Sequence, residues 1–226
     1  MSISIIRKVA MALSGFFLLV FLLQHLTINL LSVVSPDAFN SASHFMGTFW
    51  MVQFVAQPIL AFGVVFHLSM GFVLELKNRS ARPVKYAFNN PSANSTWMSR
   101  NMIITGMMIL LFLGLHFYDF WFPELNVKYV QGDMSGLIDP MIPNSGMRYW
   151  EELHHKFHDP IRVGIYCLSF VFLSLHLMHG FQSAFQSVGF NHNKYTPTIK
   201  KVSNIYAIVV PLGFVVIAVF HFLTQS

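Results

Sequence analysis

Long apolar stretches alternate with short polar segments along the whole chain. Five stretches are long enough to cross a hydrocarbon core of about 30 Å at about 1.5 Å of helix rise per residue. A further segment, MRYWEELHHKFH at residues 147–158, is typical of a short amphipathic helix lying on the membrane surface. We find no internal repeat. The pattern predicts a single-domain, all-α membrane protein with five transmembrane helices, at Val9–Val34, Trp50–Leu76, Met102–Phe122, Arg162–Val188 and Asn204–Leu223.

The composition agrees with this fold class and excludes several others. Hydrophobic residues make up 54% of the chain and charged residues only 10%, whereas soluble domains carry about 25% charged residues. The single cysteine, Cys167, excludes a disulfide framework, an iron–sulfur cluster and a covalently attached haem. No glycine-rich phosphate-binding motif is present, so nothing indicates a nucleotide site.

Basic residues predict the orientation of the helices. With the N-terminus in the cytoplasm, most of the 14 lysine and arginine residues fall on the cytoplasmic side, and most of the 9 acidic residues fall outside. Cytoplasmic loops of membrane proteins carry this excess of positive charge. We therefore expect a cytoplasmic N-terminus, an outer C-terminus and a basic cytoplasmic face suited to an acidic soluble partner or to anionic lipid.

Four histidines lie inside the first four predicted helices at two depths. His25 and His116 lie about 24 to 26 Å from the inner ends of helices 1 and 3, and His67 and His176 about 15 to 18 Å from those of helices 2 and 4. The two levels are thus about 8 Å apart. In a four-helix arrangement, each pair would lie across a diagonal.

Two histidine pairs at different depths are what two stacked b-type haems require, because each haem iron binds one neutral imidazole on either side. A compact zinc or copper site would instead need all four histidines at one depth. Gly71 and Gly180 lie one turn after His67 and His176, on the same helix faces, and would let a flat ring approach closely. We therefore predict four helices bundled around two stacked b haems.

The remaining histidines and two arginines are weaker candidates for functional roles. His179 could replace its neighbour His176 as a ligand, and His44 is a candidate for a quinone or proton role. His221 is expected to be structural and without a partner. Arg100 and Arg162, at helix ends, are candidate partners for haem propionates. We expect solvated side chains for the histidines of the amphipathic segment, His154, His155 and His158.

The segments around the four histidines resemble a known family. LLQHLTINL, FHLSMGFVLELKN, FLGLHFYDF and LHLMHGFQSAFQSVG are similar to the haem-binding helices of the di-haem cytochrome b subunit of succinate dehydrogenase and fumarate reductase. The resemblance is to the branch with a single five-helix anchor subunit, and it covers the whole chain. It implies that His67 and His176 hold the proximal haem and that His25 and His116 hold the distal haem. The family's glycine spacing fits His176, Gly180 and Gly189, and does not fit His179.

The resemblance also implies a function and partners. Electrons would pass from a flavoprotein with FAD, through an iron–sulfur subunit and the two haems, to a quinone, commonly menaquinone, near the outer side. The partner subunits would dock on the cytoplasmic face of a bacterial inner membrane, without nucleic acid, and complexes of this family often form dimers. Some fumarate-respiring members carry a glutamate two residues before the ligand on helix 4, which moves protons across the membrane; here that position is Ser174, so we assign no such proton path. The family's acidic group near the quinone has no clear match, and the local candidates are His44 and Asp37.

Several alternatives stay open at this point. The enzyme could run as fumarate reductase, or the chain could be the cytochrome b of a quinone-linked hydrogenase or formate dehydrogenase. Outside redox chemistry, a small proton-coupled transporter could use membrane histidines as relays. A transporter would be colourless and would favour acidic residues within its helices, where only Glu75 and Asp119, both at helix ends, come close.

Overall fold

The computed structural model describes residues 3–80, 101–142 and 144–225, and within these ranges the fold is all helical. The only β-type pairing there is an isolated bridge between Leu137 and Met147. The helices are α1 (Ile3–Val34), α2 (Pro36–Thr48), α3 (Gln57–Ser80), α4 (Met102–His116), α5 (Tyr149–Lys156), α6 (Pro160–Ser187) and α7 (Thr196–Leu223).

Five of the helical stretches are long and apolar enough to cross a membrane, which confirms the number predicted from the sequence. These are α1, α3, α4 with its continuation to Val130, α6 and α7. Many large apolar side chains on these helices are exposed, as expected for surfaces that contact lipid. The chain is therefore a multi-pass membrane protein by the length and composition of its helices.

The helix ends differ from the predicted ones where polar residues have local partners. A π-helical turn, Val52–Ala56, leads into α3, and α4 continues beyond its predicted end through π-helical turns at Phe117–Trp121 and Asn126–Val130. Lys128 is buried there, but it pairs with Glu124 one turn earlier, so this polar end stays helical. The amphipathic segment predicted at 147–158 is helical over the shorter range of α5.

The connection between the first two spans, 35–49, is not an irregular loop but forms α2. Ser35 caps this helix by accepting a hydrogen bond from the amide of Ala38 at 3.3 Å, and Pro36 occupies the first turn. Both features are ordinary signals of a helix start. Phe39 and Asn40 on α2 are buried, because the helix lies against α5 rather than in solvent.

Four helices form a ring in the order α1, α3, α4, α6. Each of them packs against its neighbours in that order, and α6 closes the ring onto α1. Consequently α1 lies diagonally opposite α4, and α3 diagonally opposite α6. This arrangement is the one predicted for the two histidine pairs.

The fifth span, α7, packs outside the ring against α1 and α6. Gly213 permits this approach, since a Cβ at that position would lie 2.9 Å from Cδ1 of Leu26. Tyr206 also donates a hydrogen bond to the carbonyl of Leu19 at 2.6 Å. The helices α1, α6 and α7 therefore pack closely, around a core that includes Leu26, Phe170 and Phe214.

Helices α2 and α5 cover one end of the bundle, which we call the α5 end. Trp150 links them to α1: its backbone amide donates to Oδ1 of Asn40 at 2.8 Å, and its indole donates to the carbonyl of Ser32 at 2.9 Å. Asn40 also donates to the carbonyl of Met147 at 3.2 Å. The α5 end is thus a polar layer attached to an apolar bundle.

Candidate functional site

Two pairs of histidines face each other across the diagonals of the helix ring. His25 of α1 and His116 of α4, the upper pair, have ring centres 5.8 Å apart. His67 of α3 and His176 of α6, the lower pair, have ring centres 6.5 Å apart. The upper pair lies nearer the α5 end. The structure thus brings together the partners that were predicted from depth, and the ring facing His67 is that of His176.

The two pairs lie farther apart than the sequence analysis suggested. Ser14 of α1 contacts His67, so the lower pair lies level with Ser14, and His25 is eleven residues further along the same helix. At about 1.5 Å per residue, the levels are about 16 Å apart rather than about 8 Å. The earlier value was wrong because depths counted from charged residues assume that all helices begin in one plane.

Each pair has a spacing that fits one metal ion. Two imidazoles bound to opposite sides of an ion by bonds of about 2 Å have ring centres about 6 Å apart. Within the described ranges, no group of three or more histidine, cysteine or acidic side chains could hold a metal ion. The four histidines are therefore arranged as two facing pairs, which suits the iron of two haems better than one four-ligand zinc or copper site.

In the lower pair, hydroxyl groups fix which ring nitrogen carries the proton. The Ser14 hydroxyl donates to the carbonyl of Met11 at 2.8 Å and lies 3.0 Å from Nδ1 of His67. Because this hydroxyl uses its proton on the carbonyl, it accepts from Nδ1–H, which leaves Nε2 free to bind a metal. Second partners of this kind commonly orient histidine ligands.

The other ring of the lower pair is held in the same way. Thr105 lies 3.1 Å from Nδ1 of His176 and donates to the carbonyl of Met102 at 3.0 Å. His176 is therefore also held with its proton on Nδ1 and with Nε2 free. Both histidines of the lower pair therefore present an unprotonated Nε2 that could bind a metal ion.

The upper pair has no such support. Nδ1 of His116 is buried and has no hydrogen-bond partner in the part of the chain that the structure describes. Nδ1 of His25 lies 3.4 Å from the Asn29 amide nitrogen, which donates to the carbonyl of His25 at 2.8 Å and, being only a donor, cannot hold a proton on Nδ1. Aromatic rings border the pair instead, with Phe21 stacked on His25 at 5.4 Å and Phe112 stacked on His116 at 5.8 Å.

The contacts of the histidines reveal an internal repeat that the sequence analysis missed. MALSGFFLLVFLLQH in α1 and MIITGMMILLFLGLH in α4 share Met, a hydroxyl residue, Gly, Phe and His at the same spacing. In α3 and α6 the matching segments are HLSMGF and HLMHGF. Each half thus places its hydroxyl beside its own lower histidine, and each pair joins equivalent residues of the two halves. Apolar substitutions between the shared residues obscure the repeat.

Glycines lie beside the lower pair in both halves. A Cβ at Gly15 would contact Cε1 of His67 at 3.7 Å, and one at Gly106 would contact Cε1 of His176 at 3.7 Å. The predicted Gly71 and Gly180 instead face the flexible ends of Met11 and Met102, at 3.8 and 3.7 Å. Gly106, which the sequence analysis did not single out, is recognisable as the repeat partner of Gly15.

The candidate quinone and propionate residues are placed as follows. Nδ1 of His44 lies 3.3 Å from the hydroxyl of Tyr149, whereas Asp37 is exposed in the first turn of α2. Arg162 forms an ion pair with Asp119, its Nε lying 3.3 Å from Oδ2, so its charge is already matched. Arg100 lies outside the described residues.

His221 has partners, contrary to the sequence expectation. Its side chain is fully buried, with Nδ1 3.1 Å from Nδ1 of His154 and Nε2 3.0 Å from the hydroxyl of Ser32. Since Ser32 donates its own proton to the carbonyl of Asn29 at 2.6 Å, Nε2–H of His221 donates to Ser32 and Nδ1–H of His154 donates to His221. His154 is therefore part of this network and is not simply solvated.

The surroundings of His154 lower its affinity for a second proton. Burial lowers the pKa of His154, the nearby His158 lowers it further, and the charge of Glu151 opposes both effects. His154 therefore remains neutral, as a donor to His221, at pH values where an exposed histidine begins to gain charge.

An ion-pair network crosses the α5 end next to this region. The Arg148 guanidinium binds both oxygens of Glu152, at 2.8 and 2.9 Å, and also binds Glu124, which pairs with Lys128. Burial opposes the charge of Arg148, but the bonds to Glu124 and Glu152 outweigh it and raise the pKa of Arg148. Burial and the charge of Glu124 raise the pKa of Tyr149 to about 12.

Comparison of the chain with protein-family models, with curated proteins and with solved structures gives no match.

Proposed function

We propose that the chain is the membrane-anchor cytochrome b subunit of a succinate:quinone oxidoreductase. In this role His67 and His176 hold a proximal b haem, and His25 and His116 hold a distal b haem. Electrons enter from an iron–sulfur subunit and leave to a quinone, with menaquinone as the preferred substrate. The iron–sulfur clusters belong to a partner subunit, since one cysteine cannot ligate a cluster, and FAD belongs to the flavoprotein, since this chain has no glycine-rich phosphate-binding motif.

One observation carries the proposal: two facing imidazole pairs lie on the two diagonals of the helix ring, at ring separations of 5.8 and 6.5 Å. Histidines that merely satisfied hydrogen bonds across helices would have no reason to face each other at the spacing of a bound ion, twice, on separate levels. The family resemblance of the surrounding segments then favours this redox subunit over a hydrogenase or formate dehydrogenase cytochrome.

Bound haem supplies one-electron transfer between the two levels. The protein's own contribution differs between them. Ser14 and Thr105 keep Nε2 of the lower histidines unprotonated, so these imidazoles ligate without first losing a proton. Phe21 and Phe112 exclude water from the upper pair and hold its rings by stacking.

The location follows from the same proposal. The chain would lie in a bacterial cytoplasmic membrane with its N-terminus inside, so that the lower pair faces the flavoprotein and iron–sulfur subunits. The α5 end would then face outward, on the side where the quinone exchanges protons.

A dithionite-reduced minus oxidised spectrum of the purified chain, with haem quantified per polypeptide, tests the proposal. We expect two b-type haems per chain. A chain that is folded in the membrane, supplied with haem and still colourless would overturn the proposal in favour of a transporter. Purification of the intact complex then distinguishes the redox alternatives, because a flavoprotein partner is expected rather than a nickel or molybdenum protein.

A further inference from the structure

Two methionines lie beside the lower histidine pair, at equivalent positions of the internal repeat. A Cβ at Gly71 would lie 3.8 Å from Cε of Met11, and one at Gly180 would lie 3.7 Å from Cε of Met102. Both are ordinary van der Waals distances, so each thioether end packs on the face that its glycine leaves free of a side chain. Because the contact occurs in both halves, it is a property of the repeat.

The same two glycine faces are the ones that a flat ring needs. Each glycine lies one helical turn after a histidine of the lower pair, on the same face of its helix. A haem bound to His67 and His176 would therefore pack on Gly71 and Gly180, where the lack of a side chain permits a close approach. The thioether ends and the haem thus compete for the same surfaces.

The backbone of both methionines is fixed, which leaves only their side chains free to move. The carbonyl of Met11 accepts from the Ser14 hydroxyl at 2.8 Å, and that of Met102 accepts from the Thr105 hydroxyl at 3.0 Å. These are the hydroxyls that hold Nδ1 of the lower histidines. A shift of either carbonyl would disturb the ligands, so a bound ring can displace the thioether end but not the helix.

Methionine suits such a displacement better than other large apolar residues. Its side chain is unbranched and has three rotatable bonds, so its end changes position at little cost. Met11 and Met102 are both half-buried, so their ends can turn toward the surface of the bundle without entering the core. Leucine has a similar volume, but its branched end cannot withdraw in the same way.

We propose that Met11 and Met102 control haem affinity at the lower pair, because their thioether ends cover the two glycine faces and are displaced when haem binds. This inference rests on the function proposed above, which supplies the haem. Displacement removes the packing of two thioether ends. The methionines therefore lower the affinity of a site that the hydroxyl groups otherwise favour.

The upper pair does not share this feature. The residues one turn after its histidines are Asn29 and Phe120 rather than glycines. No thioether end covers a glycine face there in the part of the chain that the structure describes. The effect of the two methionines is therefore confined to the lower site, and the upper site serves as an internal control.

The test measures haem affinity of the purified full chain by equilibrium competition with apomyoglobin, with low-temperature spectra to distinguish the two sites. In Met11→Ala and Met102→Ala no thioether end has to be displaced. We therefore expect the affinity of the lower site to rise about 3- to 10-fold in each variant, with the upper site unchanged. A gain in affinity from truncating a packed side chain is the characteristic result.

Leucine at the same positions should have the opposite effect. Met11→Leu keeps the volume but resists displacement, so the affinity of the lower site should fall about 3- to 10-fold. A methionine that only supported the site would weaken haem binding in both the alanine and the leucine variants. Met108→Ala is the matched control, because it truncates a half-buried methionine of α4 that lines a groove toward α6, and it should change neither site.

The outcomes separate this inference from the proposed function. Weaker or unchanged affinity of the lower site in the alanine variants would overturn the role of the methionines, as would an equal gain in Met108→Ala. If an alanine variant does not accumulate in the membrane, the leucine variants decide, since undiminished affinity there contradicts displacement. Two haems with unchanged affinities remove this inference alone, whereas no haem in the unmodified chain removes the function itself.

Discussion

The two histidine pairs occupy equivalent positions in the repeat but differ in what holds them. In the lower pair, each Nδ1 has a hydroxyl partner within 3.1 Å. In the upper pair, one Nδ1 has a long contact of 3.4 Å and the other is unpaired within the described structure. The protein therefore fixes the protonation state of the lower rings, whereas at the upper pair it fixes mainly their position.

The difference indicates which of the two histidine pairs is more firmly oriented by the protein. A ligand that is held by a second partner is oriented and made more basic by it, so the lower pair has little freedom. The upper pair adjoins the polar α5 end, where Asp119, His154 and Arg148 lie. We expect the lower site to bind its group tightly and the upper site to respond to its surroundings.

The strongest test of the comparison is to remove one ligand from each pair. His116→Ala should eliminate the upper haem and His176→Ala the lower haem, each halving the haem content, because one imidazole does not hold a b haem between two helices. Low-temperature spectra of reduced membranes distinguish the two sites. His192→Ala, in the exposed connection before α7, is the control and should retain both haems. Loss of both haems from a single ligand variant that still accumulates in the membrane would contradict separate pairs.

A smaller effect is expected from the hydroxyl partners. Thr105→Val preserves shape but leaves Nδ1 of His176 without its acceptor, so haem affinity at the lower pair should fall about 10- to 100-fold. Haem retention during stepwise competition with apomyoglobin measures this loss. Thr27→Val removes a hydroxyl that donates only to the carbonyl of Leu23, and should change neither site. If Thr105→Val weakened both sites equally, the contrast between the pairs would be wrong.

The smallest expected effect concerns pH at the α5 end. An unfolded histidine has a pKa near 6.5, and the folded pKa of His154 is lower. As pH falls below about 6.5, the unfolded chain gains a proton that folded His154 resists, so this residue lowers stability progressively in acid. Thermal unfolding of detergent-solubilised protein at pH 7.5 and 5.5 should show a drop that is smaller in His154→Gln. His155→Gln, at an exposed position of the same segment, is the comparison, and an equal effect there would exclude a special role for His154.

The five spans and the pairing of the histidines were predicted from the sequence because both depend on patterns that extend over many residues. Apolar length was sufficient to find the five spans, and histidine depth was sufficient to pair His25 with His116 and His67 with His176. Both predictions hold even when the helix ends are misplaced by several residues. The distance between the levels was not predictable in this way, because it depends on the relative shift of α1 and α3, which only their packing determines.

Other features depend on tertiary contacts that no local sequence pattern predicts. The π-helical turn that contains the buried Asp119 arises within an ordinary apolar stretch. Whether a polar atom of Asp119 or Arg148 has a hydrogen-bond partner among the described residues depends on neighbours that only the fold brings together. The burial of His221 depends on α5 folding over the end of α7. By contrast, Ser35 and Pro36 are recognisable helix signals, so α2 could have been predicted from the sequence.

The position of α7 has a consequence for how an unsymmetrical ring would bind. Since each histidine pair joins equivalent residues of a repeat, the two faces of a bound ring would meet nearly the same side chains. A b haem turned over by half a rotation would then fit almost as well, giving two orientational isomers. Helix α7 makes the two faces of the upper site unequal, because the ring centre of its Phe214 lies 5.7 Å from that of His25. Under the proposed function, α7, which carries none of the four paired histidines, is therefore the element that would select one isomer over the other.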